Sequence, residues 1–587
     1  MHPFGLGALL LAGAAAQAPQ VHESVIVTAS RLPAEAAAPR RTVVLEREEI
    51  ARLPVESVQE LIALLAGVSL MRRGPLGAQA DVMLRGATFE QVAVLVDGVR
   101  VNDPQTGHFN LDLAVDLEAV ERVEVTLGPG SAVHGPDAFG GTIAITTAAP
   151  SALRARLGGG QHGLWQAGAA LPVGGGAWVS ASRVSHDGFR PHTELDATRA
   201  SLGWSGKAAG WSLRTTFGGE DKQFGAWAYY SARYPDQWEE TDTALWTFAA
   251  SRPLGSTGLS VRAGARQHHD LFVLERARPD WYRNRHRSRS GSLQATLDGE
   301  AAGLRWVAGL EGEVQGLDSA RLGDHRRERV AAFAEGSRRL GRVLLSAQLR
   351  GDRTSDWGWE LDPGLGVEIE LGRGVSCGLH RGRSFRQPSF TDLHYVSPAT
   401  VGNPALRPEH AWSDEALLRV PVRWTLLELS VFRRDARDLI DYLRGDDGVY
   451  RAANHARVVT RGGEVSLALA PWRVLAATRV WASWLDSEVD VDPSRSRYAL
   501  SHPRAEAGAS TRAALPAGIT ADVSWRWRDP RTGPSYSLVD ARLSRGLRGG
   551  FSLEVGASNL LGTRYEELDG ILMPGRWVTA SVAWHAK

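Results

Sequence analysis

The stretch Phe224-Gly225-Ala226-Trp227-Ala228-Tyr229-Tyr230-Ser231-Ala232-Arg233-Tyr234-Pro235-Asp236-Gln237-Trp238 interleaves aromatic rings with polar groups. Rings in that pattern hold a planar or amphipathic ligand by stacking and by edge hydrogen bonds. The same composition suits a loop packed on itself or at a membrane rim, and both readings stay open here. Bond-making chemistry is harder to find. Gly158-Gly159-Gly160-Gln161-His162-Gly163 is no phosphate loop, because no Lys-Ser/Thr follows and its flanks read as strands. There is no nucleophile elbow and no H-E-x-x-H. His268-His269 lacks a spaced third ligand and reads as exposed. Carboxylates are scattered, without a general acid/base pair. Cys377 is the sole cysteine, so no intramolecular disulfide or multi-Cys metal site exists, and it reads as a small apolar strand residue. No catalytic residue, no metal site and no enzyme activity are expected.

The elements that would position such a loop come from alternation. In Trp211-Ser212-Leu213-Arg214-Thr215-Thr216-Phe217, apolar residues fall largely at the odd positions. Leu259 to Arg266 and Ile519 to Arg528 repeat the pattern, which fits strands with one lipid face and one wet face. No apolar run approaches the ~20 residues of a membrane helix. A closed barrel is the other structure that satisfies its backbone in lipid. The part of the 587-residue chain beyond Thr147 holds about 22 strands at roughly 20 residues per strand and connection. Gly174-Gly175-Gly176 and Leu515-Pro516-Ala517-Gly518 read as short turns at one end, and the longer connections belong to the other. With 67 basic and 66 acidic residues the net charge is +1, which leaves no electrostatic footprint for nucleic acid.

The first 150 residues differ. Phe4 to Ala16 is apolar and ends in A-x-A-like triplets, which predicts a signal peptide over 1–18, although only His2 precedes the core. Glu23-Ser24-Val25-Ile26-Val27-Thr28-Ala29 is β-branched and followed by a Pro- and Ala-rich spacer, Leu32 to Pro39. It reads either as a flexible segment that adds a strand to a partner's sheet edge or as an ordinary first strand. From Arg41 a compact α+β domain is predicted. It has a strand at Thr42–Leu45 and a helix capped by Ser57, with Val58, Leu61, Ile62 and Leu65 on one face and Gly67 at its end. Val82 to Gly86 forms a further strand and turn. Then come Leu95 to Arg100, the turn-rich loop Asn102 to Asn110, a brief helix at Leu117–Val120, a strand at Arg122–Leu127 and a last strand from Gly141. Arg85, Arg100, Glu121, Arg122 and Glu124 are expected to pair with a surrounding wall, since unpaired buried charge is costly.

The block from Leu95 to Ile145 resembles the plug domain of TonB-dependent outer-membrane receptors. Glu23–Ala29 is similar to that family's TonB box. Ser384-Phe385-Arg386-Gln387-Pro388 through Tyr395, Gly402-Asn403-Pro404 through Glu409, Arg434 to Tyr442 (a strand end entering a loop) and Ser558 to Glu566 resemble barrel phrases of the family. Its chains usually stop on an aromatic residue, whereas His585-Ala586-Lys587 follow Trp584 here. The resemblance implies a transmembrane antiparallel β-barrel occluded by an N-terminal plug. It divides the chain into signal (1–18), TonB box and linker (19–40), plug (41–150) and barrel (151–587). It further implies an active importer in the outer membrane of a Gram-negative-type bacterium, a monomer whose partners are TonB, outer-membrane lipid and a scarce ligand. The phrases look most like the cobalamin branch, with haem or a ferric siderophore as the alternative and a passive porin or adhesin as a rival class. The ligand residues it implies are Gln105, His108 and Asn110 on the plug, with Trp227, Tyr229, Tyr230, Tyr234 and Trp238 in the aromatic loop. His394 joins them because it lies between two phrases as in haem receptors. No cofactor is implied beyond calcium, which cobalamin receptors can hold on loop carboxylates. Asp187, Glu194 and Asp196 are the candidates, without convincing spacing.

Overall fold

The computed structural model describes residues 31–32, 36–51, 53, 55, 57–74, 77–229, 234–397, 399–423, 425–490, 495–498, 500–568 and 570–586. The expected signal, the segment Glu23–Ala29 and Tyr230 lie outside these residues.

Alternation makes the barrel. On the last strand, Trp577–His585, the outward Ala580 and Val582 are exposed while Ser581 and Ala583 are buried, so a one-residue slip would turn every side chain over. Twenty-two long strands repeat this scheme as antiparallel neighbours, and the sheet closes where Thr579↔Gly160 through His585↔Arg154 join last strand to first. Closure removes the unpaired edges that lipid cannot satisfy. Leu157, Leu310, Leu365 and Val431 stand exposed on the outer surface as the apolar belt. No helix among the described residues is long and apolar enough to cross a membrane. One barrel end carries tight turns. Ala209-Gly210 and Ala302-Gly303 have φ of 50° and 80°, then 50° and 74°, as two-residue hairpins of twisted strands demand. Gly174–Gly176 and Pro516–Gly518 lie at this end, as expected. The other end carries the long loops.

Inside sits a mixed sheet in the order Thr42–Glu46, Val120–Leu127, Gly141–Thr147, Val92–Val96, Val99–Arg100. Val92–Val96 runs parallel to Gly141–Thr147, and a separate hairpin pairs Val68–Arg72 with Ala80–Leu84. The Ser57 hydroxyl accepts from Glu60 N at 3.1 Å and starts the helix Val58–Ala63, shorter than its apolar spacing predicts. Leu45, Leu61, Ile62, Val94, Val123 and Ile143 fill the core.

Charge ties this plug to the wall. Arg85 Nη2 donates to Glu415 and Glu464, each at 2.8 Å, and Arg41 Nη1 reaches Glu464 at 2.6 Å. Arg100 reaches Glu313 at 2.6 Å, and Asp103 and Asp112 take Arg266 and Lys222. Arg122 departs from the expectation. It pairs inside the plug sheet with Glu124, two residues on along the same strand, and with Glu46 of the neighbouring strand at 3.6 Å. His268 also departs from it. It is buried, with Nδ1 2.8 Å from the Thr243 hydroxyl and its ring 4.5 Å from Phe109, because it sits on the inward side of its strand. Pro39 nests against the wall where Gly366 and Gly378 leave room. A Cβ there would lie 2.7 Å and 2.6 Å from the proline ring. Upstream, Leu32 and Ala36 pack on Val307, and Arg31 Nη2 donates to Val133 O at 2.7 Å, so this part of the spacer is held rather than free. Arg434–Tyr442, expected to leave its strand, instead continues it to Arg444. Ile440 and Tyr442 are buttressed there by Leu393 and Leu406.

Candidate functional site

At the long-loop end the floor of the site is the plug turn 102–112. Its shape comes from its own side chains. Asn110 accepts from Asp103 N at 2.9 Å and donates to Phe89 O at 3.0 Å, so both ends of its amide are spent on the turn. Asp103 accepts from Gln105 N at 2.8 Å and from the wall's Ser288 hydroxyl at 2.7 Å. Gln105 is buried, and its Oε1 has no hydrogen-bond partner among the described residues. His108 presents more surface. Its ring stacks on Phe89 at 4.2 Å and 24°, and its Nδ1 lies 2.8 Å from Asp81. Burial pushes the His108 pKa down despite that carboxylate, so the neutral ring donates through Nδ1.

The surrounding wall holds groups that residue spacing does not reveal. Tyr498 meets Phe89 edge-on at 5.3 Å, His108 at 6.1 Å and Tyr442 at 6.1 Å. Arg497 lies over the rings of Tyr450 and Tyr498 at 5.1 Å and 5.2 Å. Asp441 fixes this loop by accepting from Tyr498 N at 3.0 Å and the Ser496 hydroxyl at 2.5 Å. The half-buried rings of His108, Tyr450 and Tyr498, backed by the buried Phe89 and Tyr442, converge with one guanidinium over the plug, a surface suited to a large amphipathic ligand. Next to Tyr442, which its Leu393 packs against, the helix Phe390–His394, closed by a Ser389/Asp392 capping box, donates from Phe390 N to Pro104 O and from Thr391 N to Gln105 O, both at 3.0 Å. Arg386 gathers Glu409 at 2.6 Å, Asp392 at 3.1 Å and Glu90 at 3.4 Å. Three carboxylates for one cation push Glu90 up to about 8, through burial first and Asp392 second. Glu90 still accepts from Gly107 N at 2.9 Å.

The aromatic loop divides. Tyr229 is buried against Phe224, and its carbonyl accepts from Arg73 of the plug at 2.7 Å. Trp227 is half-buried under the Arg190 guanidinium at 3.7 Å, and Tyr234 meets Trp281 edge-on at 5.4 Å. Trp238 stands on the outer face of its strand, donating to Glu240 at 3.0 Å. These rings do not form one platform with His108. His394 stacks on His325 at 3.7 Å and 6°, one helical turn beyond the contacts with Pro104 and Gln105.

The calcium candidates do not converge either. Asp196 pairs with Arg183 at 2.8 Å on the outer surface, and Asp187 lies beside Gly163. Glu194 takes Arg276, which also donates to Asp236 at 2.6 Å and contacts His192 Nδ1 at 2.5 Å. A guanidinium occupies the place a cation would hold among these loops, and no group of three metal-ligating side chains exists among the described residues. The residues present do not fit calcium.

The family profile "TonB dependent receptor-like, beta-barrel" matches residues 147–560, and "TonB-dependent Receptor Plug Domain" matches residues 34–142. The vitamin B12 transporter BtuB of Vibrio vulnificus (strain YJ016) is 25% identical over 596 residues, covering 94% of this chain and 92% of that protein. Among solved structures, the FrpB iron transporter of Neisseria meningitidis superposes with a TM-score of 0.77 at 14% identity, over 93% of this chain and 99% of that one. The ferric enterobactin receptor PfeA of Pseudomonas aeruginosa gives 0.77 at 16% identity, over 96% and 100%. At these identities the structural likeness is one of fold.

Proposed function

The chain belongs to the TonB-dependent receptor family, and from that membership we propose that its cargo is cobalamin. Members are transporters rather than enzymes, and this chain is a TonB-dependent transporter of the Gram-negative outer membrane. Membership implies interaction with TonB and ligand binding. The observation that carries the cobalamin reading is the nearly full-length match to a vitamin B12 transporter. The aromatic surround of His108, Phe89, Tyr442 and Tyr498 supports it, because a corrin offers broad apolar faces and an amide-rich rim. On this reading the ligand rests on His108 and the apex turn, Arg497 and the tyrosines close on it, and Trp227 and Tyr234 flank the entrance. Gln105 and Asn110 hold the turn that receives it. Glu23–Ala29 is proposed as the TonB box after a signal at 1–18 and within a linker reaching residue 40. The plug then spans 41–150 and the barrel 151–587.

Equilibrium binding of the detergent-purified protein to cyanocobalamin, haem and a ferric siderophore tests the cargo. Cyanocobalamin is expected to bind alone, and Tyr498→Ala is expected to weaken it about 5- to 10-fold, the worth of one aromatic contact. Haem binding that disappears in His394→Ala, with no cobalamin binding, would overturn this reading.

A further inference from the structure

Four buried oxygens gather at one junction of plug and wall without a hydrogen-bond partner among the described residues. They are Gln105 Oε1 on the apex turn, Glu239 Oε2 and Thr241 Oγ1 on the strand Trp238–Leu254, and Asp270 Oδ1 on the strand Thr257–Val273. Each of these residues is at most 5% exposed. Strand pairing sets the wall groups side by side. Thr241 is the register partner of Asp270, and Glu239 stands two positions along on the same inward face. Gln105 comes within hydrogen-bonding reach of the Asp270 carboxyl from the plug, as Glu239 does from the wall. Groups buried this deeply are ordinarily matched by protein, water or ligand.

Charge is left over at the same place. Asp103 takes Arg266, and Asp112 takes Lys222. Arg73 is held by Asp81 at 3.5 Å and by the Tyr229 carbonyl at 2.7 Å. His268 lies further along its strand, between Thr243 and Phe109. Glu239 and Asp270 have no ion pair among the described residues, so two neighbouring carboxyls are buried without a cation of their own. Both stay ionised only if a positive charge joins them. That charge would meet oxygen alone, which selects a hard ion. Calcium gathers roughly six to eight oxygens. The described residues hold no group of three acidic or histidine side chains able to bind a metal. Two carboxyls and two neutral oxygens, with water to complete the shell, suit a small singly charged ion instead. The outward neighbours Glu240, Asp242 and His269 are polar, which sets this junction above the apolar belt, toward the outer medium.

We propose that Glu239, Thr241, Asp270 and Gln105 bind a sodium ion between the plug apex and the wall. The backbone of Gln105 is already committed, its N–H to Asp103 and its carbonyl to Thr391 N. The ion fixes the side chain as well, so the apex turn is ordered before any cargo reaches it.

The test uses the full chain in detergent at neutral pH and constant ionic strength, with choline chloride exchanged stepwise for NaCl, KCl or CaCl2. Backbone hydrogen exchange of residues 102–112 is read by mass spectrometry, without cargo. NaCl is expected to slow that exchange about ten-fold at a concentration about ten times its Kd, and KCl to do so less. Asp270→Asn is expected to abolish the sodium response. Thr241→Val, which removes a neutral donor and leaves the charges, should shift its midpoint about ten-fold. Asp242→Asn, on the outward face of the same strand as Thr241, should change nothing. Equal exchange in NaCl and choline chloride would overturn the proposal, leaving a shared proton or water at the junction. So would an equal response to KCl, or slowing by micromolar CaCl2 that EDTA reverses. A sodium response kept by both Asp270→Asn and Thr241→Val would place the ion elsewhere and equally overturn it. Should Asp270→Asn not fold, Thr241→Val alone reports, since that hydroxyl has no hydrogen bond to lose.

Discussion

Arg85 shows what a single side chain does in this lumen. Its guanidinium is bonded to Glu415, Glu464 and the Ser430 hydroxyl, all buried, and lies 4.3 Å over the half-buried Phe432 ring. Replacing it by alanine leaves Glu415 to the Ser430 hydroxyl and Glu464 to Arg41, with one buried cation fewer for two carboxylates, at a cost of about 3 kcal/mol. Arg85→Ala should leave the β-sheet content of the barrel intact and make the plug cleavable by trypsin, which electrophoresis of the digest would show. Arg183→Ala, which breaks an exposed outer pair with Asp196, should leave the digest unchanged. At this scale sequence reading divides sharply. That Ser57 would cap a helix, and that Arg85 would meet a wall, follow from residue type and near neighbours. That Tyr498 would meet His108, or Arg386 would meet Glu90, does not, because those contacts join residues hundreds of positions apart. Arg122 finds its carboxylates within the plug sheet instead, at Glu124 two positions on and at Glu46 on the adjacent strand.

Among elements, the long loops are held by side chains that act as staples. Arg276 draws together Glu194, Asp236 and His192 from two other loops. Ligand binding should accordingly be unchanged by chelators, whereas Arg276→Ala should reduce it, as titration with and without EDTA would measure. The helix Phe390–His394 carries a pH response. Burial, then the adjacent His325 ring and Arg327, lower the His394 pKa below 6.5. The folded loop therefore holds fewer protons than the unfolded one. Its contribution is complete above pH about 6.5 and is lost as pH falls through the lower folded value. Proteolysis of the 387–408 loop should accelerate as the pH falls below about 6.5, and His394→Gln should flatten that dependence. Strand alternation made the wall legible without contacts, but loops follow no period. The aromatic run at 224–238 therefore announced its composition and not that Tyr229 would turn inward while Trp238 turned outward.

For the whole molecule, the separation of plug from strands was legible because periodicity changes at Thr147, and the strand number followed from length. Function at this scale joins the outer site to the inner end of the chain. Deleting 23–29 should abolish TonB-dependent uptake of radiolabelled cobalamin by whole cells while leaving binding to the purified protein unchanged. The loss of both would contradict the proposed TonB box. The closure seam carries a further consequence. The first wall strand, Arg154–Gly160, finds its second neighbour only in Trp577–His585, hundreds of positions downstream. Until those two strands pair, the cylinder is an open sheet with two unpaired edges. Arg41 likewise reaches Glu464 across a sequence separation of 423. The seam of the container and the fastening of its stopper are thus both long-range pairings, the kind that pays loop-closure entropy first and forms slowly.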